Sequence, residues 1–171
     1  MCDDCSREYL DPLDRRFHAQ PNACPRCGPA ISLHDGQGQR LESDNVIEHA
    51  ISAIARGKVV AIRGLGGFHL CVDATSEAAI STLRTRKNRP DKPLAIMVAD
   101  HEAAARLCEL SPEEQASLES VEHPIVLLSP LPGTALAANV APQMSDLGVM
   151  LPYTPLHHLL FAHPHCPPAL V

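Results

Sequence analysis

The sequence predicts an α/β (α+β) fold, an open twisted sheet with flanking helices, preceded by a small four-cysteine, zinc-ribbon-like unit. Three observations carry this reading. From residue 45 onward, short aliphatic runs alternate with amphipathic segments, as expected where strands and helices intermix through long crossovers. Two Cys-x-x-Cys pairs, Cys2/Cys5 and Cys24/Cys27, stand 18 residues apart near the start. Hydrophobic residues make up 45% of the 171, yet there is no Trp and only three Phe and two Tyr, so the core must be aliphatic.

Residues 1–33 are dense in Cys, Arg, Asp and Pro, lack helical periodicity, and read as loops and short turns around a metal. Residues 34–44 are polar and glycine-containing, which marks a linker. The second domain spans 45–171. Val46, Ile47, Ala50, Ile51 and Ile54 share one helical face, with Asp44 or Asn45 as N-cap and Gly57 as C-cap. Lys58 to Arg63 reads as a buried strand, Gly64 to Gly67 as a tight loop, and Phe68 to Val72 as a second strand. Ser76 and Glu77 open a helix that turns Ala79, Ile80 and Leu83 inward and ends near Asn88-Arg89-Pro90. Pro93 to Val98 is a strand, and Asp100 caps a short helix to Cys108. Ser111 starts another helix with Pro112 in its first turn. Ile125 to Leu128 and Val149 to Leu151 add strands, and Pro155 to Ala162 a helix. The final residues, Pro167 to Val171, read as the beginning of a further strand and suggest a piece of a longer chain.

A formal charge of −6 argues against a generic nucleic-acid binder. The longest apolar run, Leu94 to Ala99, falls far short of the roughly 18 residues of a membrane helix. The N-terminus has neither a basic region nor an apolar stretch, so no secretory signal is read there. These features place the chain in the cytoplasm, where thiols stay reduced and paired cysteines favour a metal over a disulfide.

Four thiolates at this spacing suit a closed tetrahedral zinc site with Cys2, Cys5, Cys24 and Cys27 as ligands. Such a site has no open position, so the ion is structural. The competing reading is four unrelated cysteines or a redox pair. Gly28 is expected to supply a positive φ at the second knuckle. Arg15, Arg16 and Arg26 are available to offset the net charge of about −2 on a zinc tetrathiolate. Cys71, Cys108 and Cys166 share no spacing with this set and read as small buried hydrophobes. His157, His158, His163 and His165 lack acidic partners in sequence and are not read as ligands.

The charge is unevenly spread. Arg84 to Lys92 carries five basic residues and one Asp, a local +4, while residues 1–44 sum to −3. This run sits where a helix gives way to a strand, and Pro90 and Pro93 restrict Arg89 and Lys92 to extended conformations. Rigidly presented cations suit a polyphosphate, because Arg forks match phosphate oxygens and Lys acts as a point charge. A solvated helix end is the plainer alternative. Gly64-Leu65-Gly66-Gly67 allows close backbone approach to a ligand, but it is neither a Walker A loop nor a G-x-G-x-x-G fingerprint. It reads equally as a simple strand connection.

Several stretches resemble the HypF-type carbamoyltransferases of [NiFe]-hydrogenase maturation. Cys2-Asp3-Asp4-Cys5, Glu8 to Pro21 and Cys24-Pro25-Arg26-Cys27-Gly28-Pro29 are similar to the family's second zinc-finger-like unit. Ile62 to Leu70 with Asp73-Ala74, Arg84 to Met97, and Gly148 to Leu160 resemble its YrdC-like domain, there truncated at its C-terminus. The resemblance implies that the full-length protein forms carbamoyl-adenylate from carbamoyl phosphate (through carbamate) and ATP with Mg²⁺. It further implies transfer of the carbamoyl group to the C-terminal cysteine of the partner HypE, for the cyanide ligands of the hydrogenase iron. Within this chain it implies ATP-phosphate binding by Lys87, Arg89 and Lys92, with Phe68 and His69 near the carbamoyl or nucleotide pocket. The family's acylphosphatase-like and C-terminal transfer domains lie outside this chain, so the resemblance does not imply activity for this segment alone. Two other readings attach to YrdC-like domains: threonylcarbamoyl-adenylate synthesis for tRNA modification, and double-stranded RNA binding. Free-standing synthases lack the four-cysteine unit, and the net charge and scarce aromatics count against RNA.

Overall fold

A computed structural model of the chain, describing residues 1–171, begins with a helix where the sequence reads as loops. Helix α1 (Asp3–Leu10) has Asp3 and Asp4 in its first turn and Arg7 in its last, which complements the helix dipole. It is only eight residues long and buries Cys5 alone, too little for a helical period to register in the sequence. Residues 11–22 turn back through two aspartate-stabilised bends, Asp11 accepting from the Leu13 N–H and Asp14 from the Arg16 N–H. His18, at φ +53°, donates its backbone N–H to the Tyr9 carbonyl and stacks its ring on Tyr9 at 4.9 Å. Where a bare linker is expected, strands β1 (Leu33–His34) and β2 (Arg40–Leu41) pair antiparallel. The Asp35 carboxylate closes their turn by accepting from the Gln37 and Gln39 N–H groups.

The chain divides into two compact units, Met1–Val46 and Ile47–Val171. Helix α2 (Val46–Ala55) turns Ala50, Ile51 and Ile54 inward and stops at Gly57, whose φ of +75° only glycine adopts without strain. Strands β3 (Val60–Arg63) and β4 (Phe68–Cys71) form a hairpin with Arg63 opposite Phe68. Contrary to expectation, β3 is not a buried strand. Only Ile62 is buried, because the hairpin packs one face on α2 and leaves the other open.

Helix α3 (Glu77–Lys87) is capped by Ser76 and ends at Asn88 in the left-handed conformation, φ +48°. Strand β5 (Ile96–Val98) is wholly buried. Helices α4 (His101–Ala105) and α5 (Pro112–Leu118) follow, capped by Asp100 and by a Ser111/Glu114 capping box. Strand β6 (Val126–Leu128), a single 3₁₀ turn at Ala138–Val140, strand β7 (Leu147–Met150), helix α6 (Pro155–Phe161) and strand β8 (Ala169–Leu170) complete the unit.

The main sheet has the order β6-β7-β5-β8, with β5 and β7 parallel and the other pairs antiparallel. Beyond β8, the Ala74 N–H donates to the Ala169 carbonyl and the Val171 N–H to the Val72 carbonyl, which ties the segment after β4 to the same sheet. The core is aliphatic, led by Val72, Ile80, Leu83, Ile96, Val98, Leu118, Leu128 and Val149, as the scarcity of aromatics requires. No helix is long and apolar enough to cross a membrane.

Candidate functional site

Two places concentrate chemistry, one in each unit. In the first, Cys2 caps α1 and Cys5 lies in its first turn, while Cys24 and Cys27 close a tight turn in which the Cys27 and Gly28 N–H groups donate to the Cys24 carbonyl. The sulfurs of Cys2 and Cys24 are 3.6 Å apart, Cys24 and Cys27 3.8 Å, and Cys5 and Cys27 3.6 Å. A tetrahedral ion with metal–sulfur bonds of about 2.3 Å, the zinc value, has sulfur–sulfur edges of about 3.8 Å. The four thiols therefore fit such an ion. They are also the one group of three or more His, Cys, Asp or Glu side chains close enough together to hold a metal.

Backbone hydrogen bonds from Cys24 and Cys2 pull the Cys27 thiol down to about 6, and those from Cys27 and Arg26 lower Cys24, whereas burial pushes Cys5 up to about 12. An ion would supply the charge that keeps Cys5 as thiolate. Gly28 is needed for a reason other than the expected positive φ, which it does not adopt. A Cβ there would lie 2.8 Å from the Cys24 carbonyl oxygen, inside the knuckle itself. Of the three arginines, Arg16 is engaged by Glu8 at 2.7 Å. His18 serves as packing against Tyr9 and Phe17.

In the second unit, a cleft of about 320 Å³ is lined by Phe68 and His69 of the β3–β4 hairpin, Lys87 and Arg89 at the end of α3, and His157 of α6, among other residues. Four of the five residues singled out for nucleotide binding thus share one cavity. Lys92 does not line it and is exposed. Arg84, counted in sequence as one of the available cations, does not line it either. It is 7% exposed and spends its guanidinium on backbone carbonyls: Arg89, Pro90 and Lys92 at 2.8, 2.9 and 3.0 Å, and Asn139 and Val140 at 2.8 and 3.0 Å. Arg84 therefore shapes the corner and is not free to meet an anion. Arg89 donates to the Pro93 carbonyl at 2.6 Å and keeps its Nε buried without a partner.

The glycine turn does not line this cleft but packs against His69, which does. The Gly64 N–H donates to the Gly67 carbonyl at 2.7 Å, and a Cβ on Gly64 would lie 2.5 Å from His69 Nε2. That nitrogen is 2.7 Å from the Tyr153 hydroxyl. His157, 3% exposed, stands edge-on to both rings, 5.4 Å from His69 and 4.7 Å from Tyr153 between centroids. Burial, then the neighbouring His69 and His158, push its imidazole down to about 4, so it is neutral near pH 7. Sequence reasoning does not single out Tyr153 and weighs His157 only as a metal ligand, since residues 69 and 153 meet only through the tertiary fold. The Thr154-Pro155 helix start was the available signal. Burial pushes the thiols of Cys71, Cys108 and Cys166 up to about 12, 11 and 11, which disfavours their thiolate forms.

Residues 1–34 match the family model of the HypF finger, and residues 52–171 match the Sua5/YciO/YrdC model, described as telomere recombination. The carbamoyltransferase HypF of Rhodobacter capsulatus is 52% identical over 160 residues, covering 94% of this chain and 21% of that protein. The crystal structure of full-length HypF in the phosphate- and nucleotide-bound form is similar over 100% of this chain and 22% of its own, with a TM-score of 0.82 and 46% identity. P. abyssi Sua5 complexed with L-threonine matches 72% of this chain and 36% of its own, with a TM-score of 0.62; at 22% identity this shows the shared fold alone. The chain spans about a fifth of the length of the HypF proteins it matches.

Proposed function

The chain belongs to the HypF branch of the Sua5/YciO/YrdC family, and we propose that its second unit is the adenylate-forming part of a carbamoyltransferase. In this reading carbamate, released from carbamoyl phosphate in the full-length protein, enters the cleft beside ATP. One carbamate oxygen attacks the α-phosphorus, the bond to the β-phosphate breaks, and pyrophosphate leaves with the charge it gains. Lys87 and Arg89 hold the phosphate oxygens on which that charge grows, as fixed cations do best when no reorganisation is needed. The carbamoyl-adenylate then gives its acyl group to a thiolate, that of the C-terminal cysteine of HypE, and AMP is the leaving group. The first unit holds zinc through its four cysteines, as a structural ion with no open position.

The observation that carries this reading is the sharing of one cleft by Lys87, Arg89, Phe68 and His69. The nucleotide-bound HypF of similar structure supports it. The test is carbamoyl-phosphate-dependent release of pyrophosphate from ATP, in the full-length protein that carries this segment. Lys87→Ala and Arg89→Ala should each lower kcat/KM about tenfold or more. Unchanged kinetics in both would remove the cleft from the reaction. Activity with threonine and bicarbonate in place of carbamoyl phosphate would assign the chain to tRNA modification instead.

A further inference from the structure

Lys87 and Arg89 are assigned to phosphate, but the same cleft is lined by His69 and His157, members of a ring cluster that phosphate binding leaves unexplained. His69 Nε2 is taken by the Tyr153 hydroxyl at 2.7 Å, and its Nδ1 has no hydrogen-bond partner in the protein. The ring cannot slide toward the glycine turn, because Gly64 already lies against it so closely that a Cβ would reach 2.5 Å from Nε2. It cannot swing the other way, because His157 and Tyr153 stand against it at 5.4 and 5.9 Å between centroids. Tyr153 is itself placed by the start of α6, where Thr154 accepts from the His157 N–H. One glycine and two rings therefore hold one imidazole in a fixed pose in the cleft that Lys87 and Arg89 also line.

We propose that Tyr153 sets the tautomer of His69, donating its phenolic hydrogen to Nε2, so that His69 offers an Nδ1–H to a carboxylate-type oxygen of carbamate in the cleft. A neutral imidazole has one N–H and one lone pair, and the partner of one nitrogen decides the state of the other. With Tyr153 as donor, the proton sits on Nδ1. The reverse arrangement would turn a lone pair toward an anion drawn in by Lys87 and Arg89, which is repulsive. His157, buried and neutral, adds no competing positive charge in this cleft. His69 is then the residue that touches the acyl substrate, and Tyr153 is a positioning residue that acts through it. The inference rests on the adenylate-forming reading above and adds to it the side of the cleft that receives the carbamate.

Asn and Gln distinguish the two imidazole nitrogens, since the Asn amide nitrogen reaches the place of Nδ1 and that of Gln the place of Nε2. In the full-length protein, with carbamoyl phosphate as the probe, Tyr153→Phe should lower kcat/KM for carbamoyl phosphate about tenfold, the weight of one hydrogen bond to a charged group. The Kd for ATP should stay within about twofold, because phosphate is held elsewhere. His69→Asn should retain about tenfold more activity than His69→Gln, and adding Tyr153→Phe to His69→Asn should cost nothing further, as expected of residues acting in series. Equal activity of the Asn and Gln variants would overturn the tautomer assignment even if Tyr153→Phe failed to fold. Full additivity in the double variant would do the same. Loss of ATP binding in Arg89→Ala together with normal behaviour of Tyr153→Phe would leave the adenylate reading standing and remove this one. If instead Lys87→Ala and Arg89→Ala were both silent, the parent reading itself would fall.

Discussion

Among residues 1–46 only Cys5 is buried, whereas Ile47–Val171 encloses an aliphatic core running through Ile51, Ile80, Leu83, Ile96, Leu118 and Val149. The first unit exposes Leu10, Leu13, Phe17, Ile31 and Leu41, and has too little apolar burial to offset the entropy of ordering its backbone. What gathers it is four sulfurs within 4.8 Å of one another, two aspartate-closed bends and a short helix. The second unit needs no such staple. Two routes to order, coordination and apolar burial, thus lie side by side in one sequence, and they should respond differently to the same perturbation.

Removing the metal should have the largest effect and should act on one unit alone. A chelator, or Cys5→Ser, should abolish slow hydrogen exchange throughout residues 1–46 while the amides of β5 and β7 keep their protection. Parallel loss in both units would break the distinction. The reverse experiment is Arg84→Met, which removes a buried cation from five carbonyl acceptors. It should lower the stability of the second unit by roughly 3 kcal/mol in urea unfolding, without changing metal content. Arg84→Lys should not rescue it, because one ammonium cannot span two loops.

Acid sharpens the same contrast within the second unit. His157 titrates near 4 in the fold and near the ordinary 6.5 when unfolded. Its folded pKa is depressed, so the unfolded chain binds the proton first. Stability is therefore fully present above pH 6.5 and falls as the pH drops from 6.5 toward 4, by at most roughly 3 kcal/mol for this group. Comparing the unfolding free energy of wild type and His157→Phe across that window isolates the effect, and parallel pH curves would show that His157 carries none of it. The smallest expected change separates Arg89 from Lys92. Arg89→Ala should weaken ATP binding about tenfold and Lys92→Ala less than about twofold, since only Arg89 lines the cleft.

The two regions were also unequally legible. The thiol set could be read from spacing alone, because metal geometry constrains residues that are near in sequence. Helix α1 could not, since eight residues with one buried position leave no periodic trace. In the second unit the helix caps at Ser76, Asp100 and Ser111 were plain, each being a local bond between neighbours. The basic corner stands out in the sequence, but the different environments of its members do not. Arg84 and Arg89 look alike in sequence, and only the carbonyls of Asn139 and Val140, some 55 positions away, turn one of them inward. The Tyr153–His69 contact spans 84 positions and left no local signature for the same reason.

Because Arg84 fastens the Arg89–Lys92 corner and the Asn139–Val140 turn to a single guanidinium, the two loops cannot fluctuate independently. Whatever quiets the first must slow the second. Saturating ATP should therefore reduce deuterium uptake at residues 138–140, which do not line the cleft, and Arg84→Met should uncouple that distant response from nucleotide binding.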